Sequence, residues 1–198
     1  MSRPLGAVRD HLREYFAGVG IDAEPDAASV TFLGVERIEV LRFGPGPDGI
    51  AHYVSLGCSR HPMTDAAAAA ADPVRGPRAE VMMRLRVSAP TPGLARSLAV
   101  VAATPAVEGV VLVPDALVDL SGPLWDGAAF TAVLLGESAV ADLPLPQPQD
   151  PVAFLSAVPI TATEAAWVRL KGAEAMRQAW RDDGVDVEDP RRRASSPS

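Results

Sequence analysis

Cysteine is nearly absent from this 198-residue sequence, which contains only Cys58. A single thiol cannot form an intramolecular disulfide bond, and it cannot supply the ligands of a multi-cysteine zinc site. A chain of this length buries enough apolar surface to fold without such cross-links. We therefore expect one domain that folds in a reducing compartment, and we assign it to the cytoplasm.

Long apolar segments are also absent. The N-terminal residues carry a charged side chain every few positions, so they lack the apolar core of a secretory signal peptide. Residues 66–71 are all alanine, but this stretch is far shorter than the roughly 20 apolar residues that a membrane-spanning helix needs. We expect neither secretion nor a membrane association.

Positive charge is scarce and dispersed. The sequence has 18 lysine and arginine residues against 25 aspartate and glutamate residues, for a net charge of −7. The only basic cluster is formed by Arg191, Arg192 and Arg193 near the end. Nucleic-acid binding needs clustered basic side chains to neutralise phosphates, so we exclude nucleic acid as a partner. An acidic surface favours a basic protein partner, although moderate acidity is also typical of ordinary soluble domains.

Hydrophobic periodicity predicts the order of helices and strands. Apolar residues at helical spacing from Leu5 to Val19 predict an N-terminal helix. Runs of β-branched and aromatic residues, separated by glycine and proline turns, predict an antiparallel meander. Alternation over 80–87 predicts a strand with one buried face and one face that is at least partly wet, the latter carrying Glu80, Met82, Arg84 and Arg86. The predicted meander strands are 28–33, 37–43 and 50–56, followed by a central helix at 92–103 and strands at 109–113, 130–135 and 152–158.

The C-terminal third contains the best local motif. Thr161 and Glu164 have the spacing of a capping box, which predicts the start of a helix that ends near Gly184. Residues 182–198 are charged and have little to bury, so we expect a disordered tail. The predicted fold class is α+β. A single domain, residues 1–181, has a mixed, mostly antiparallel sheet with N-terminal, central and C-terminal helices packed on it.

Reactive side chains are densest between residues 52 and 62. A hydrolase using Cys58 or Ser59 as its nucleophile, with a nearby histidine as base, is one hypothesis. The segment that starts at Gly57 lacks the second glycine of a nucleophile elbow. We expect no metal, because His52, Cys58, His61 and Asp65 do not have a recognised zinc-ligand spacing. We expect no cofactor either, since the glycine- and proline-rich segment 44–49 lacks the ending of a phosphate-binding loop.

The order of several segments is more informative than any single residue. The strand around His52–Arg60 ends in Leu-Gly-Cys-Ser, Glu80–Arg86 is a Glu-Val-Met-Met-Arg-Leu-Arg strand, and Val158–Thr161 reads Val-Pro-Ile-Thr. With the intervening helix and strand, this order resembles the suppressor of fused family, and in particular its short bacterial members, over residues 3–181. Cys58 stands where the family motif has methionine, and a position that accepts methionine does not require a thiol.

The resemblance implies a non-enzymatic protein-binding domain. Animal members of the family inhibit transcription factors, and bacterial members act in part as immunity proteins that neutralise toxins. The implied partner is therefore a protein, either a toxin domain or a regulator, with the hydrolase and a structural homo-oligomer as alternatives. The oligomeric state stays open. The candidate binding residues are at the strand end and on the wet strand face: Gly57, Cys58, Ser59, Arg60, His61, Glu80, Arg84 and Arg86.

Overall fold

The computed structural model describes residues 3–32, 36–67 and 72–195. The end of the predicted strand 28–33, most of the alanine stretch and residues 196–198 lie outside the described residues. No described helix has the length and apolar character needed to cross a membrane. The elements in chain order are α1 Arg3–Gly18, β1 Asp26–Val30, β2 Ile38–Phe43, β3 Ile50–Leu56, β4 Arg78–Arg86, α2 Leu94–Glu108, β5 Leu117–Asp119, β6 Phe130–Glu137, β7 Val152–Thr161, α3 Ala162–Lys171 and α4 Ala173–Asp182.

The strands form one seven-stranded sheet in the order β1-β2-β3-β4-β7-β6-β5. Every neighbouring pair is antiparallel except β4 and β7, which are parallel. In the centre of the sheet, Ile50 of β3 lies opposite Arg86 of β4, and Arg78 of β4 lies opposite Val152 of β7. The predicted α+β domain with a mixed, mostly antiparallel sheet is confirmed.

Both faces of the sheet are covered by helices. On one face, α1 buries Leu12 and Phe16 against strands β2 and β3, while α4 buries Met176 and Trp180 against β6 and β7. On the other face, α2 packs on the odd-numbered residues of β4. Full burial of one such large apolar side chain contributes about 1.5–3 kcal/mol, so these contacts dominate the cohesion of the domain. A gap between α1 and α4 is left on their shared face.

The second face of β4 is wet in part, as predicted, but Glu80 does not belong to its wet part. Glu80 has no exposed surface and Met82 is buried, whereas Arg84 and Arg86 are exposed. The physical reason is that α1 packs over Met82, and the turn after β3 encloses Glu80. The wet face is therefore confined to the last residues of the strand.

Two further predictions about elements are wrong. Residues 109–113 form no strand, and a short strand lies instead at Leu117–Asp119. The C-terminal helix is divided at Gly172, whose φ of 90° and ψ of 166° do not fit a right-handed helix. Because the chain changes direction there, α4 packs its own apolar face on the sheet. The capping box of Thr161 and Glu164 at the start of α3 is confirmed.

The chain after α4 lies against the domain, which differs from the expected disordered tail. We call residues 183–195 the strap. Arg192 is buried in the strap, and its guanidinium donates to both Glu164 carboxylate oxygens at 2.7 and 3.0 Å and to the Pro159 carbonyl at 2.7 Å. The same guanidinium stacks over the rings of Phe130 and Trp180. Composition did not reveal this contact, because a charged residue is buried only when a specific partner is available.

Candidate functional site

A buried carboxylate holds the turn that follows β3. Glu80 accepts hydrogen bonds from the backbone N–H of Gly57 at 2.8 Å and of Ser59 at 3.0 Å. It also accepts from the hydroxyls of Ser59 at 2.6 Å and Ser55 at 2.5 Å. Burial raises the pKa of the Glu80 carboxyl, and these four hydrogen bonds oppose that rise. The carboxylate thus satisfies polar groups of the turn that water cannot reach.

A second side chain from the same strand binds the carbonyls of the turn. Arg78 is buried, and its Nη1 donates to the carbonyls of Ser59 and Arg60, both at 2.9 Å. Its Nη2 donates to the Val74 carbonyl at 3.1 Å. Alternate residues of β4 therefore fix the donors and the acceptors of the turn.

Gly57 is required by the backbone at the start of this turn. Its φ is 145°, in the region that side chains disfavour. A Cβ at this position would lie 3.2 Å from the Arg37 carbonyl oxygen and 3.3 Å from the Ile38 Cα. The glycine identified from the sequence therefore has a structural role in positioning the turn.

The turn geometry does not favour nucleophilic catalysis. Ser59 has no exposed surface, and its hydroxyl donates to Glu80. Burial, with a further contribution from Glu80, raises the pKa of the Cys58 thiol well above its usual value, so the thiolate is disfavoured. His61 is exposed and lies 3.6 Å from Glu36. Among the described residues, no hydrogen bond joins Cys58 to a histidine.

The outer side of the turn faces a cleft beside α2. We call it the α2 cleft; its volume is about 570 Å³. Arg60 forms an ion pair with Glu36 at its edge and donates to the Arg37 carbonyl at 2.9 Å. Four of the predicted site residues line this cleft: Gly57, Cys58, Arg60 and His61.

A second cleft lies on the other face of the sheet, between the C-terminal end of α1 and the strap that follows α4. We call it the α1 cleft; its volume is about 500 Å³. The C-terminal end of α1 forms one wall, residues 46–48 form another, and the strap contributes Val187 and Glu188. Residues of the central strands also line it: His52 from β3, Met82 and Arg84 from β4, and Ser156, Ala157, Val158 and Pro159 from β7.

His52 is the most unusual polar group of the α1 cleft. It is only 7% exposed, its Nδ1 is buried without a hydrogen-bond partner, and its ring packs against Phe16 at 4.9 Å between centroids. Burial, with a contribution from the charge of Arg84, lowers the pKa of His52 to about 4, against a small opposing effect of Asp48. The imidazole is therefore neutral at pH 7, with one nitrogen as donor and the other as acceptor.

The mouth of the α1 cleft is acidic. The lining residues that carry a charge at pH 7 are Asp48, Glu137, Glu188 and Arg84. Arg84 lies 3.1 Å from Glu188 and 4.0 Å from Asp48, so its charge is already partnered. Glu137 is exposed and forms no ion pair within the described ranges. The mouth therefore carries a net negative charge.

The structure divides the predicted site residues between two places. The group from Gly57 to His61 belongs to the turn, and Glu80 is buried beneath it. Arg84 lines the α1 cleft, and Arg86 binds Asp186 of the strap at 2.6 Å. Four to six residues of extended strand, about 13–20 Å, separate Glu80 from these arginines.

Sequence reasoning missed the α1 cleft because its residues come from distant segments. Tyr15, Glu137, Ser156 and Glu188 carry no local motif that would link them. A buried polar residue within an otherwise apolar strand, as at His52, was the one available signal. Across residues 3–32, 36–67 and 72–195, no three histidine, cysteine, aspartate or glutamate side chains converge as metal ligands would.

Comparison with solved structures shows the same fold. A SUFU homolog from Neisseria gonorrhoeae matches with 19% identity and a TM-score of 0.65, covering 98% of this chain and 97% of that one. The Sufu–Fu complex matches with 15% identity and a TM-score of 0.65, covering 96% and 91%. Suppressor of Fused from Drosophila matches with 17% identity and a TM-score of 0.64, and the match covers 96% of this chain but only 50% of that protein.

Comparison with sequences gives the family. No curated protein matches this chain. The sequence model of the family described as suppressor of fused protein (SUFU) matches residues 34–193, which include every strand from β2 onward and most of the strap. The predicted resemblance to this family is confirmed, and the chain belongs to the suppressor of fused protein (SUFU) family.

Proposed function

We propose that this chain is a non-enzymatic protein-binding domain. One observation carries the proposal: the groups that would perform catalysis at the strand end serve the fold instead. Ser59 donates to Glu80 in a buried network, and the Cys58 thiol is held in its protonated form. In the α2 cleft, Cys58 has no hydrogen bond to a histidine among the described residues that would activate its thiol. Membership of a family with a solved Sufu–Fu complex supports a protein as the ligand.

The more specific version is a bacterial, cytoplasmic immunity protein that neutralises a toxin, or a regulatory protein that holds its target. Its support is the resemblance to short bacterial members and the net charge of −7, which suits a basic toxin domain. Electrostatic attraction between oppositely charged proteins increases the rate of their encounter.

Co-purification with the product of an adjacent gene tests this version. We expect the tagged chain to co-elute with the C-terminal domain of a neighbouring toxin-like protein and to protect cells that express it. A chain that neither co-elutes nor protects would contradict the immunity role. Light scattering of the purified chain reports on the alternative of a structural homo-oligomer.

Three exposed alanines allow the binding surface to be located in the same assay. Ala139→Trp fills the α1 cleft, Ala106→Trp fills the α2 cleft, and Ala7→Trp places the same side chain on the exposed face of α1. We expect the first or the second variant to lose the partner and Ala7→Trp to retain it.

Cys58→Met tests the alternative of a reactive thiol. We expect this variant to bind the partner like the wild type, and loss of binding or of protection would support a reactive thiol.

A further inference from the structure

We infer that the α1 cleft receives an aromatic side chain, tyrosine by preference, from a basic segment of the protein partner. This inference rests on the proposed binding function and gives it a site and a kind of partner. The cleft volume of about 500 Å³ is ample for one large side chain. Aromatic residues dominate the binding energy of protein interfaces because they bury a large area with few rotatable bonds.

His52 is the reason for preferring tyrosine. The residue lines the cleft and is 93% buried, and its Nδ1 is buried without a hydrogen-bond partner among the described residues. A phenolic hydroxyl both donates and accepts, so it can pair with either tautomer of a neutral imidazole. A purely apolar side chain would close the cleft and leave the ring nitrogens without a partner, which is unfavourable.

The charge at the mouth is the reason for a basic segment. Asp48, Glu137 and Glu188 line the cleft; Arg84 is shared between Glu188 and Asp48, and Glu137 forms no ion pair among the described residues. Arginine or lysine residues on either side of the inserted tyrosine would meet these carboxylates. An acidic segment would be repelled by them and by the net charge of the whole chain.

The strap makes the cleft a preformed site. Val187 and Glu188 form part of its wall, and this wall is held by the backbone hydrogen bond from Arg86 to the Glu188 carbonyl at 2.9 Å. The Arg86 side chain also binds Asp186 at 2.6 Å. A partner therefore does not have to order this wall on binding, which favours affinity.

Four synthetic peptides test the inference on the full chain by titration in amide NMR spectra. Each is blocked at both ends; their sequences are Gly-Arg-Tyr-Arg-Gly, Gly-Arg-Phe-Arg-Gly, Gly-Arg-Ala-Arg-Gly and Gly-Glu-Tyr-Glu-Gly. We expect the first to shift the amide signals of His52, Met82 and Arg84. The phenylalanine peptide should bind about three- to tenfold more weakly, as expected for one lost hydrogen bond. The other two should leave these signals unchanged.

Variants of the chain separate the two parts of the inference. His52→Phe should bind the tyrosine and phenylalanine peptides equally, whereas Glu137→Gln should weaken both about two- to fivefold, as expected for an exposed ion pair. Ala139→Trp should abolish the shifts, and Ala7→Trp should not. Because Glu137 and Ala139 are exposed, their variants remain informative if His52→Phe fails to fold.

Two outcomes would overturn the inference. One is that the alanine peptide or the acidic peptide binds as tightly as Gly-Arg-Tyr-Arg-Gly. The other is that the amide signals that shift belong only to residues outside the α1 cleft. The proposed binding function is tested separately from the α1 cleft. If a protein partner co-purifies equally with the wild type and with Ala139→Trp, the binding function stands and the α1 cleft is not its site.

Discussion

Two buried ionisable residues of β4 stabilise the turn after β3. Arg78 binds carbonyl oxygens of the turn after β3, and Glu80 binds its N–H and O–H groups. Neither side chain pairs with the other: Glu80 also accepts from Ser55 of β3, and Arg78 also donates to the Val74 carbonyl outside the turn. The backbone of the turn is irregular and buried, and such backbone needs partners that secondary structure does not supply. The two side chains take that role.

Removing the Glu80 carboxylate should strongly destabilise the domain. In Glu80→Ala, four buried donors from Gly57, Ser59 and Ser55 lose their acceptor. Each unsatisfied group costs on the order of 1 kcal/mol, so we expect the free energy of unfolding to fall by about 3–5 kcal/mol. Glu80→Gln keeps one acceptor oxygen, so its free energy of unfolding should fall by less.

Urea unfolding followed by circular dichroism measures this change. The exposed Glu137→Ala is the matched control and should unfold like the wild type. A Glu80→Ala protein within about 1 kcal/mol of the wild type would show that water replaces the carboxylate.

The site residues illustrate what a sequence pattern can and cannot predict. Alternation placed Glu80, Arg84 and Arg86 on one face of β4, but it could not show which part of that face is covered. The covering turn and α1 come from other parts of the chain. Arg84 and Arg86 are exposed as predicted, although the strap binds both of them through Glu188 and Asp186.

At the scale of elements, one glycine decides where the C-terminal helices separate. The apolar spacing of residues 166–180 is compatible with one continuous helix, and the sequence alone gave no reason to divide it. Gly172 adopts φ 90° and ψ 166°, a conformation that is essentially restricted to glycine. The break allows Met176 and Trp180 to reach the sheet.

Substitution of this glycine should destabilise the protein through backbone strain alone. A Cβ on Gly172 would have no atom within 4 Å, so no steric clash arises. We expect Gly172→Ala to lower the free energy of unfolding by about 1–3 kcal/mol. Gly18→Ala is the matched control, since it also has open space but lacks a positive φ. It should be neutral or slightly stabilising, and equal losses in both variants would exclude strain as the cause.

The strap is held by one buried ion pair. Glu164 serves the capping box of α3, accepts from Trp180 Nε1 at 3.0 Å, and binds the Arg192 guanidinium through both oxygens. Burial alone would raise the pKa of Glu164, but the hydrogen bonds from Arg192, the Thr161 N–H and Trp180 lower it. The carboxylate is therefore ionised, and its charge depends on Arg192.

Replacing only Arg192 of this ion pair should lower the free energy of unfolding more than replacing both Arg192 and Glu164. In Arg192→Met, a buried carboxylate loses its cation, and we expect a loss of about 3–5 kcal/mol. Arg192→Met with Glu164→Gln should recover part of it, because no charge is left buried. Thermal unfolding of the two single variants and the double variant measures the coupling. Purely additive losses would contradict a direct interaction.

The whole-molecule fold was predictable because it depends on segment order, which the sequence shows. The meander, the strand at β4 and the capped helix at Thr161 each have a local signal, and their order matches the family. The α1 cleft was not predictable, since it lies between the C-terminal end of α1 and the strap that follows α4. Its residues come from segments up to 173 positions apart, from Tyr15 to Glu188.

The buried ionisable groups give the stability of the molecule opposing dependences on pH. The raised pKa of Glu80 favours the folded state in acid, and that contribution is lost as pH rises through its folded pKa. The lowered pKa of Glu164 stabilises the fold above its ordinary value of 4.5, and this contribution is lost as pH falls through the folded pKa. The free energy of unfolding of the wild type against pH contains all of these contributions. The contribution of one group is therefore obtained as the difference between the wild type and a variant that lacks the group.

His52 is the group whose contribution can be isolated over a defined interval. Its pKa falls from 6.5 to about 4 on folding, so the unfolded chain binds more protons there. The contribution of neutral His52 to stability is therefore fully present above pH 6.5. It declines as the pH falls toward 4, by about 3 kcal/mol at most. Arg84 lowers this pKa and Asp48 raises it, so both charges must be retained in the comparison.

We expect His52→Phe and His52→Gln to remove that decline. Urea unfolding at intervals from pH 7 to pH 4 gives the free energy of unfolding of each protein, and the wild-type value minus the variant value should decrease steadily across the interval. Because both variants lack a titrating ring while only one is polar, agreement between them assigns the slope to protonation. Parallel curves for the wild type and both variants would mean that His52 accepts a proton in the folded state without penalty. Its pKa would then stay at 6.5, and the imidazole would take up a proton below that pH instead of staying neutral to about pH 4.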